Sequence, residues 1–250
     1  MSSAIPVPTG RGRFGRRAAH APPAGGDTNG DGLGDVLIGA MLARFETRST
    51  GVAYLLPGPL SGSASLSSAD GIFAGEDGYL DDDHLSDYAG GSVALAGDID
   101  DDGYDDMLIG SGNGAGGAIY VLYSPASGSF TLAAADAKLE AEGESEAVSE
   151  VAGAGDVNAD GFTDILVGGM SIGVEGGAYL VLGPVSGTMN LADANGKFSG
   201  ESRLDHAGRS VAGAGDVDAD GYADFLIGAS SYDTATDASV GAAYLIYGGP

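Results

Sequence analysis

Four short segments of this chain place acidic and amide side chains at alternate positions, just ahead of an apolar run. They read DTNGDGLGDVLIGA from Asp27, DIDDDGYDDMLIGS from Asp98, DVNADGFTDILVGG from Asp156 and DVDADGYADFLIGA from Asp216. Carboxylates this close together raise one another's pKa values and oppose folding unless positive charge offsets them. Such a concentration of oxygen atoms is typical of a site for a hard cation, above all calcium.

The four loops share their ligand positions when they are numbered from the first aspartate. Positions 1, 3, 5 and 9 carry side-chain oxygen in every copy, position 6 is glycine, and position 7 can offer only its main-chain carbonyl. The predicted ligands are Asp27, Asn29, Asp31, Leu33 and Asp35; Asp98, Asp100, Asp102, Tyr104 and Asp106; Asp156, Asn158, Asp160, Phe162 and Asp164; and Asp216, Asp218, Asp220, Tyr222 and Asp224. This pattern predicts about four calcium ions, one in each repeat, because magnesium keeps water ligands in preference to a dense protein cage.

The loops differ from an EF-hand, which needs a bidentate glutamate at position 12. That position holds Ile38, Ile109, Val167 or Ile227, inside a predicted strand. We expect the carboxylate at position 9 to take over the role of that glutamate. The alternative is a set of aspartate-rich turns that bind no ion, since Asp and Gly favour turns on their own. The fourfold recurrence of the pattern favours the metal site.

The sequence around each loop repeats as well, with loop starts 71, 58 and 60 residues apart. Each unit shows four short apolar segments, here called strands A to D, without helical periodicity between them. Strand A consists of small residues, strand B is apolar at every position and is expected to be buried on both faces, and strand C carries aromatic residues. The loops join A to B. Four-stranded units at this period predict an all-β fold of β-propeller blades, ahead of a sandwich or a solenoid.

Composition narrows the classes of function. The formal net charge of −26 argues against nucleic acid or an anionic membrane as partner. The chain has no cysteine, so disulfides cannot stabilise it, and no apolar run approaches the length of a membrane span. No nucleophile elbow, phosphate loop or histidine cluster is present, and His206 is expected to pack or cap a turn. The sequence therefore predicts a protein without catalytic residues.

These motifs resemble the FG-GAP repeat family, which forms the blades of integrin α-subunit propellers. The metal loop matches position by position, and the "FG" element corresponds to Phe73-Ala74-Gly75 and Phe198-Ser199-Gly200. The resemblance implies a seven-bladed propeller, calcium in the A–B hairpins, an extracellular or cell-surface location, and adhesion or ligand binding. It covers residues 18–250, with expected blades near 18–76, 77–142, 143–201 and 202–250, after a disordered basic leader at 1–17.

Two departures from the family pattern bear on completeness. Only four loops are present, and the segment Ala21–Gly26, where the first strand A is expected, contains two prolines. We therefore expect the chain to be part of a longer propeller, with its first and last blades incomplete. A complete small propeller, closed by pairing of its terminal strands, is the alternative.

The loops at the two ends of the blades differ in how much their lengths vary between units. The metal loops and C–D turns keep nearly constant lengths, whereas the B–C loops and D–A connections vary, the longest being Asp77–Gly91 with its acidic run Asp81–Asp83. Variable loops on a rigid scaffold commonly carry binding specificity. We expect an unknown protein or glycan ligand on the face opposite the calcium loops, although tolerated insertions would look the same. The rival function is the non-catalytic propeller portion of a larger secreted hydrolase or lyase.

Overall fold

A computed structural model of the chain describes residues 26–46, 48–76, 88–112, 117–143, 147–148, 150–234 and 239–250. The basic leader, the prolines of the Ala21–Gly26 segment and the acidic run Asp81–Asp83 lie outside these residues. The part that is described consists of β-strands and three short 3-10 turns, without an α-helix. It contains no helix able to span a membrane.

The predicted all-β fold is confirmed. Within the described residues, eighteen strands form four main sheets and one small hairpin. They are β1 (Val36–Ala40), β2 (Arg44–Phe45), β3 (Arg48–Ser49), β4 (Val52–Leu56), β5 (Gly71–Ala74), β6 (Ala89–Gly97), β7 (Asp106–Gly112), β8 (Gly117–Leu122), β9 (Gly128–Thr131), β10 (Ala137–Glu140), β11 (Glu150–Gly155), β12 (Asp164–Gly169), β13 (Gly177–Val181), β14 (Gly187–Asn190), β15 (Gly196–Ser199), β16 (Ala207–Gly215), β17 (Asp224–Ala229) and β18 (Ala242–Ile246). The 3-10 turns are Leu66–Ser68, Leu132–Ala134 and Leu191–Asp193.

Each sequence unit corresponds to one sheet. The strand orders are β1-β4-β5-β9, β14-β10-β8-β7-β6, β11-β12-β13-β15 and β16-β17-β18, while β2 pairs with β3. Strands A to D of the sequence analysis therefore pair as antiparallel neighbours in chain order, as expected of up-and-down blades. The first sheet shows no strand A, and the fourth no strand D, among the described residues.

Strand B explains how the sheets stack, because alternate residues of a strand face opposite sides. In β12, Ile165 and Val167 pack in the core shared with the second sheet. Leu166, between them, packs in the core shared with the fourth sheet, beside Phe225 and Ile227. The expected burial on both faces is confirmed for β7 and β12, whose residues are buried almost throughout.

Strand A brings neighbouring backbones into close contact, as its small residues predict. A Cβ atom placed on Gly153 of β11 would lie 2.1 Å from the carbonyl oxygen of Ala96 in β6. One placed on Gly213 of β16 would lie 2.7 Å from the carbonyl oxygen of Gly153. Side chains larger than hydrogen are therefore excluded where the A strands of successive sheets meet.

The C–D connections contain structure that the sequence analysis did not predict. In the second and third units they contain the short strands β9 and β14, which pair in parallel with β5 and β10 of the preceding sheet. A 3-10 turn follows each of these strands. Each such connection therefore ties its own unit to the sheet before it, by backbone hydrogen bonds as well as by side-chain packing.

The glutamate that ends a unit also reaches the next unit. Glu142 accepts a hydrogen bond from the Tyr179 hydroxyl at 2.9 Å and pairs with Lys197. In the same way Glu76 pairs with Lys138 at 3.1 Å. These contacts are partly exposed, so they contribute little stability by themselves, but they join the end of one unit to strands C and D of the next.

The fourth sheet leaves one apolar face open. The central leucines of strand B are buried in the first three sheets, with exposed fractions of 4% for Leu37 and 0% for Leu108 and Leu166, whereas Leu226 is 37% exposed. Val217 is 55% exposed as well. Among the described residues no strand of the fourth sheet pairs with the first. Within the described residues the four sheets therefore stack in a row and do not show the closure that a four-bladed propeller would need.

Candidate metal centre

Two of the four acidic loops bring three of their predicted ligand positions together. In the second unit one carboxylate oxygen each from Asp98, Asp100 and Asp106 lies within 4.8 Å of the other two. Positions 1, 3 and 9 of the fourth unit, Asp216, Asp218 and Asp224, form the same cluster. Oxygens bound to one calcium ion at 2.3–2.6 Å lie at such separations from one another. Position 3 is asparagine in the other two units, which therefore have two acids at these positions rather than three.

The carboxylate at position 1 organises the turn of each loop. In the third unit the amides of Asp160 and Gly161 donate to Asp156 at 3.0 and 2.9 Å. The equivalent pairs are Asp31 and Gly32 to Asp27, Asp102 and Gly103 to Asp98, and Asp220 and Gly221 to Asp216. The amide of Gly32, followed by others of its loop, lowers the pKa of Asp27 against the effect of burial. The backbone thus favours the charged form of this group.

The carboxylate at position 9 is buried in every loop and ties the loop to the end of strand C. In the second unit Asp106 accepts hydrogen bonds from the amides of Ile99 at 2.7 Å and Ser124 at 2.9 Å. The corresponding donor pairs are Thr28 and Gly58 for Asp35, Val157 and Gly183 for Asp164, and Val217 and Gly248 for Asp224. Sequence reasoning assigned position 9 to the metal alone and missed this second role, because the strand C partner lies 18 to 24 residues away.

The backbone follows the same path in the four loops. Glycine at position 6 has φ between 80° and 99°, as its sequence pattern predicts. Position 4 also lies in the left-handed region, with φ of 62° at Asp101, 59° at Ala159 and 63° at Ala219. Apart from Gly30 in the first unit, the residue types at position 4 do not predict this left-handed conformation. A β-bulge at the glycine before the last three loops redirects the chain out of strand A.

Positions 5 and 7 are joined by a hydrogen bond within each loop. The amide of position 7 donates to the position 5 carboxylate in each loop, as from Tyr104 to Asp102 at 3.0 Å and from Tyr222 to Asp220 at 3.0 Å. The matching pairs are Leu33 with Asp31 and Phe162 with Asp160. Position 5 is not part of the clusters formed by positions 1, 3 and 9. Its role as a ligand, and that of the position 7 carbonyl, stay predictions.

Among the four loops, the second shows the largest perturbation of a carboxylate pKa. Burial, and then the charges of Asp100 and Asp102, raise the pKa of Asp106 to about 7 against the amides that bond to it. Burial and the neighbouring Asp102 also raise the pKa of Asp100. The Oδ1 atom of Asp100 is buried and has no hydrogen-bond donor. A buried, unpaired acceptor among like charges fits a cation, which would supply both a partner and the missing positive charge.

Successive loops are joined by their backbones. The amide at position 8 donates to the position 1 carbonyl of the preceding loop, from Asp105 to Asp27 at 3.0 Å and from Thr163 to Asp98 at 2.9 Å. Ala223 donates to Asp156 at 2.8 Å in the same way. The four candidate sites therefore lie in a row along one end of the stacked sheets, at the A–B hairpins.

Comparisons with known proteins match these repeats. The model of the FG-GAP-like repeat matches residues 98–167, and that of the FG-GAP repeat matches residues 207–246. Integrin alpha-V of Gallus gallus is 31% identical over 226 residues, which are 84% of this chain and 20% of that protein. Integrin alpha-3 of Cricetulus griseus is 33% identical over 154 residues, or 58% of this chain and 14% of that protein.

Integrin alpha pat-2 of Caenorhabditis elegans is 31% identical over 164 residues, which are 57% of this chain and 13% of that protein. The chain thus spans a fifth or less of the length of these curated relatives. The regions matched by the two family models contain the second, third and fourth acidic loops, and three-carboxylate clusters occur in the second and fourth of these. The repeated sheets, the loop geometry and these matches agree, and the chain belongs to the FG-GAP repeat family.

Proposed function

We propose that this chain is a calcium-stabilised recognition module that acts outside the cell or at its surface. The observation that carries the proposal is the convergence of carboxylates from positions 1, 3 and 9 in the second and fourth loops, in a set of four loops that share a left-handed backbone at positions 4 and 6. The family resemblance implies adhesion or ligand binding for such repeats, and the integrin alpha relatives support that assignment.

Calcium has a structural role in this proposal. The ligand set of the four loops carries fourteen carboxylates and two amides, so about four divalent cations would balance a little over half of its charge. Each loop closes an A–B hairpin, and its position 9 carboxylate also bonds to the end of strand C. Cation binding at these loops therefore stabilises three strands of a sheet at once, and the free energy of binding adds to the free energy of folding.

Recognition is proposed for the opposite end of the sheets, where the B–C loops vary in length. A shallow depression of about 600 Å³ lies at that end of the fourth sheet, lined by residues that include Arg209, Ser230 and Gly241. In the first unit the B–C loop forms the hairpin β2–β3. The depression supplies shape and a positive charge at Arg209, and the hairpin sequence contains Arg44 and Arg48. Positive charges at this end of a strongly acidic chain suit an acidic group on a protein or glycan ligand.

We further propose that the four units belong to a larger propeller of seven blades. The open face around Val217 and Leu226 supports this, because the same positions in the second and third sheets are covered by the next sheet. The expected boundaries near 76, 142 and 201 and the basic leader are part of the same proposal.

Calcium titration of the full chain tests the structural role. Isothermal titration calorimetry on folded, chelator-treated protein should give about four sites, and circular dichroism should show a higher melting temperature with calcium than with magnesium at equal concentration. Absence of heat, with a melt that calcium leaves unchanged, would remove the metal from the proposal.

A pair of variants tests whether calcium binding and ligand recognition lie at opposite ends of the sheets. Arg209→Ala, combined with alanine at the B–C residues Tyr232 and Asp233, should reduce binding to arrays of extracellular-matrix proteins and glycans without changing the calcium-dependent melt. Asp216→Ala with Asp218→Ala should lower the melting temperature. If the first variant binds the array like the parent chain, recognition does not lie at this end of the sheets.

A further inference from the structure

One acidic side chain of the second loop contacts the first loop across the boundary between their units. The carboxylate of Asp105, at position 8, accepts a hydrogen bond from the backbone amide of Asp27 at 2.7 Å. The Asp105 amide donates in return to the Asp27 carbonyl at 3.0 Å. We propose that Asp105 is a positioning residue for the cation site of the first loop, and that it couples this site to the site of the second loop. The inference rests on the calcium sites of the proposed function.

The side chain at position 8 distinguishes this pair of loops from the two pairs that follow. The backbone bond from position 8 to the preceding loop occurs in all three pairs, but its donor is Asp105 in the second loop, Thr163 in the third and Ala223 in the fourth. The first loop has Gly34 at this position. Among the four loops, a carboxylate at position 8 is therefore specific to the second.

The Asp105 side chain helps to hold both ends of the first loop. A Cβ atom placed on Gly26 would lie 2.8 Å from the Cβ and Oδ2 atoms of Asp105, so this side chain packs on the backbone just before Asp27. The Gly26 carbonyl in turn accepts a hydrogen bond from the Asp35 amide at 2.7 Å. Since Asp27 and Asp35 are positions 1 and 9 of the first loop, the contact with Asp105 helps to fix the backbone at two predicted ligands.

The first site depends on how well its ligands are placed, because it has fewer carboxylates than the second. Its position 3 is asparagine, which leaves two acids at positions 1, 3 and 9. Within the loop the amides of Gly30 and Gly32 donate to the Asp27 carboxylate at 2.7 and 2.8 Å. The second loop adds a packing contact, since a Cβ atom on Gly30 would lie 2.6 Å from Cε1 of Tyr104. Holding the backbone of Asp27 from outside the loop reduces the ordering that cation binding requires.

The same residue transmits binding from the second site. Asp105 lies between two predicted ligands of its own loop, the Tyr104 carbonyl and the Asp106 carboxylate, and Asp106 is also bonded to the end of strand C. A cation in the second loop would fix positions 7 and 9 and hence the backbone of Asp105. The acceptor for the Asp27 amide is then in place before the first site fills. Binding at the second site therefore raises the affinity of the first, and by linkage the reverse holds as well.

The test is a titration of the full chain in chelator-buffered calcium, followed by proton–nitrogen correlation NMR. The position 6 amides report each site separately, because each donates to the position 1 carboxylate of its own loop; they are Gly32, Gly103, Gly161 and Gly221. In Asp105→Ala the calcium concentration at the midpoint of the Gly32 transition should rise about tenfold, because a hydrogen bond to a charged acceptor is lost. The Gly161 and Gly221 midpoints should equal those of the parent chain, which shows that the fold is intact.

Two further variants separate the position of the Asp105 oxygen from its charge. Asp105→Asn keeps a side-chain oxygen that can accept the Asp27 amide, so its Gly32 midpoint should stay within about threefold of the parent value. Asp101→Asn removes a charge from an exposed position of the same loop and should also leave the Gly32 midpoint unchanged. An unchanged Gly32 midpoint in Asp105→Ala would overturn the proposal. Equal losses in all three variants would do so too, because the effect would then be one of charge.

A variant of the second site tests the coupling. Asp98→Asn weakens that site, so it should raise the Gly32 midpoint at least about fivefold in the parent chain and leave it unchanged when Asp105 is alanine. Equal shifts in both backgrounds would refute the coupling. If none of the four glycine signals of the parent chain responds to calcium, the calcium sites themselves are refuted and the role of Asp105 with them, so the two failures are distinguishable.

Discussion

Replacing Asp100 by asparagine should change the stability of the chain in opposite directions with and without calcium. The change removes one negative charge from the most crowded loop, where Asp98, Asp100 and Asp106 approach within 4.8 Å. It also reproduces the natural residue of the third unit, Asn158, whose Nδ2 donates to Asp160 at 2.8 Å. Asparagine at this position is therefore compatible with the backbone of the loop.

The expected size follows from the buried Oδ1 atom of Asp100, which has no hydrogen-bond donor. The Nδ2 group of asparagine can take the place of this oxygen and donate to a neighbouring carboxylate, which removes the unsatisfied acceptor. An unsatisfied buried acceptor costs about 1–3 kcal/mol. Since the residue as a whole is only half-buried and water screens part of the repulsion, we take the lower end, about 1 kcal/mol. Without calcium, Asp100→Asn should raise the melting temperature by about 2–4 °C. With calcium, the loss of one charged ligand should weaken the second site about tenfold, or about 1.4 kcal/mol.

Thermal melts followed by circular dichroism, in chelator and in saturating calcium, measure both effects. The matched control is Asp101→Asn, which removes the same charge from the same loop at an exposed position whose φ of 62° suits asparagine. The control should leave the calcium-induced increase in melting temperature nearly unchanged. A lower melting temperature for Asp100→Asn in chelator, or an unchanged calcium affinity, would refute the reasoning.

Three further outcomes follow from the stacking of the sheets and from the buried carboxylates. Because the pKa of Asp106 is raised to about 7, its contribution to stability is present at low pH and is lost as pH rises from about 4 to 7. Chelated protein should therefore resist urea better at pH 5.5 than at pH 8, and calcium should remove the difference. Leu166→Ala should lower the free energy of unfolding, measured in urea, by about 2–5 kcal/mol. Leu226→Ala should lower it by less than about 1 kcal/mol, and equal losses would mean that the outer face of the fourth sheet is covered. Gly153→Ala should prevent cooperative melting, since its Cβ would lie 2.1 Å from the Ala96 carbonyl oxygen, and a normal melt would contradict this packing.

Much of the site was predictable because its chemistry is local. Positions 1 to 9 of each loop are contiguous, so their residue types and the glycine at position 6 indicate a cation loop without knowledge of the fold. The left-handed backbone at Ala159 and Ala219 was not predictable, since alanine disfavours that region and gives no signal for it. The hydrogen bond that the Gly183 amide donates to Asp164 was also not predictable, because it depends on where strand C ends in space.

The sequence by itself determined the repeat, the strand types and the candidate ligands, because each of these depends on residue spacing within one unit. The tertiary structure alone decided how the units meet. It added β9 and β14 to the preceding sheets, joined successive loops through position 8, and left Leu226 partly exposed. Such contacts join residues that are distant in sequence, and their free energy depends on the relative placement of whole sheets, which the periodicity of a single unit does not specify.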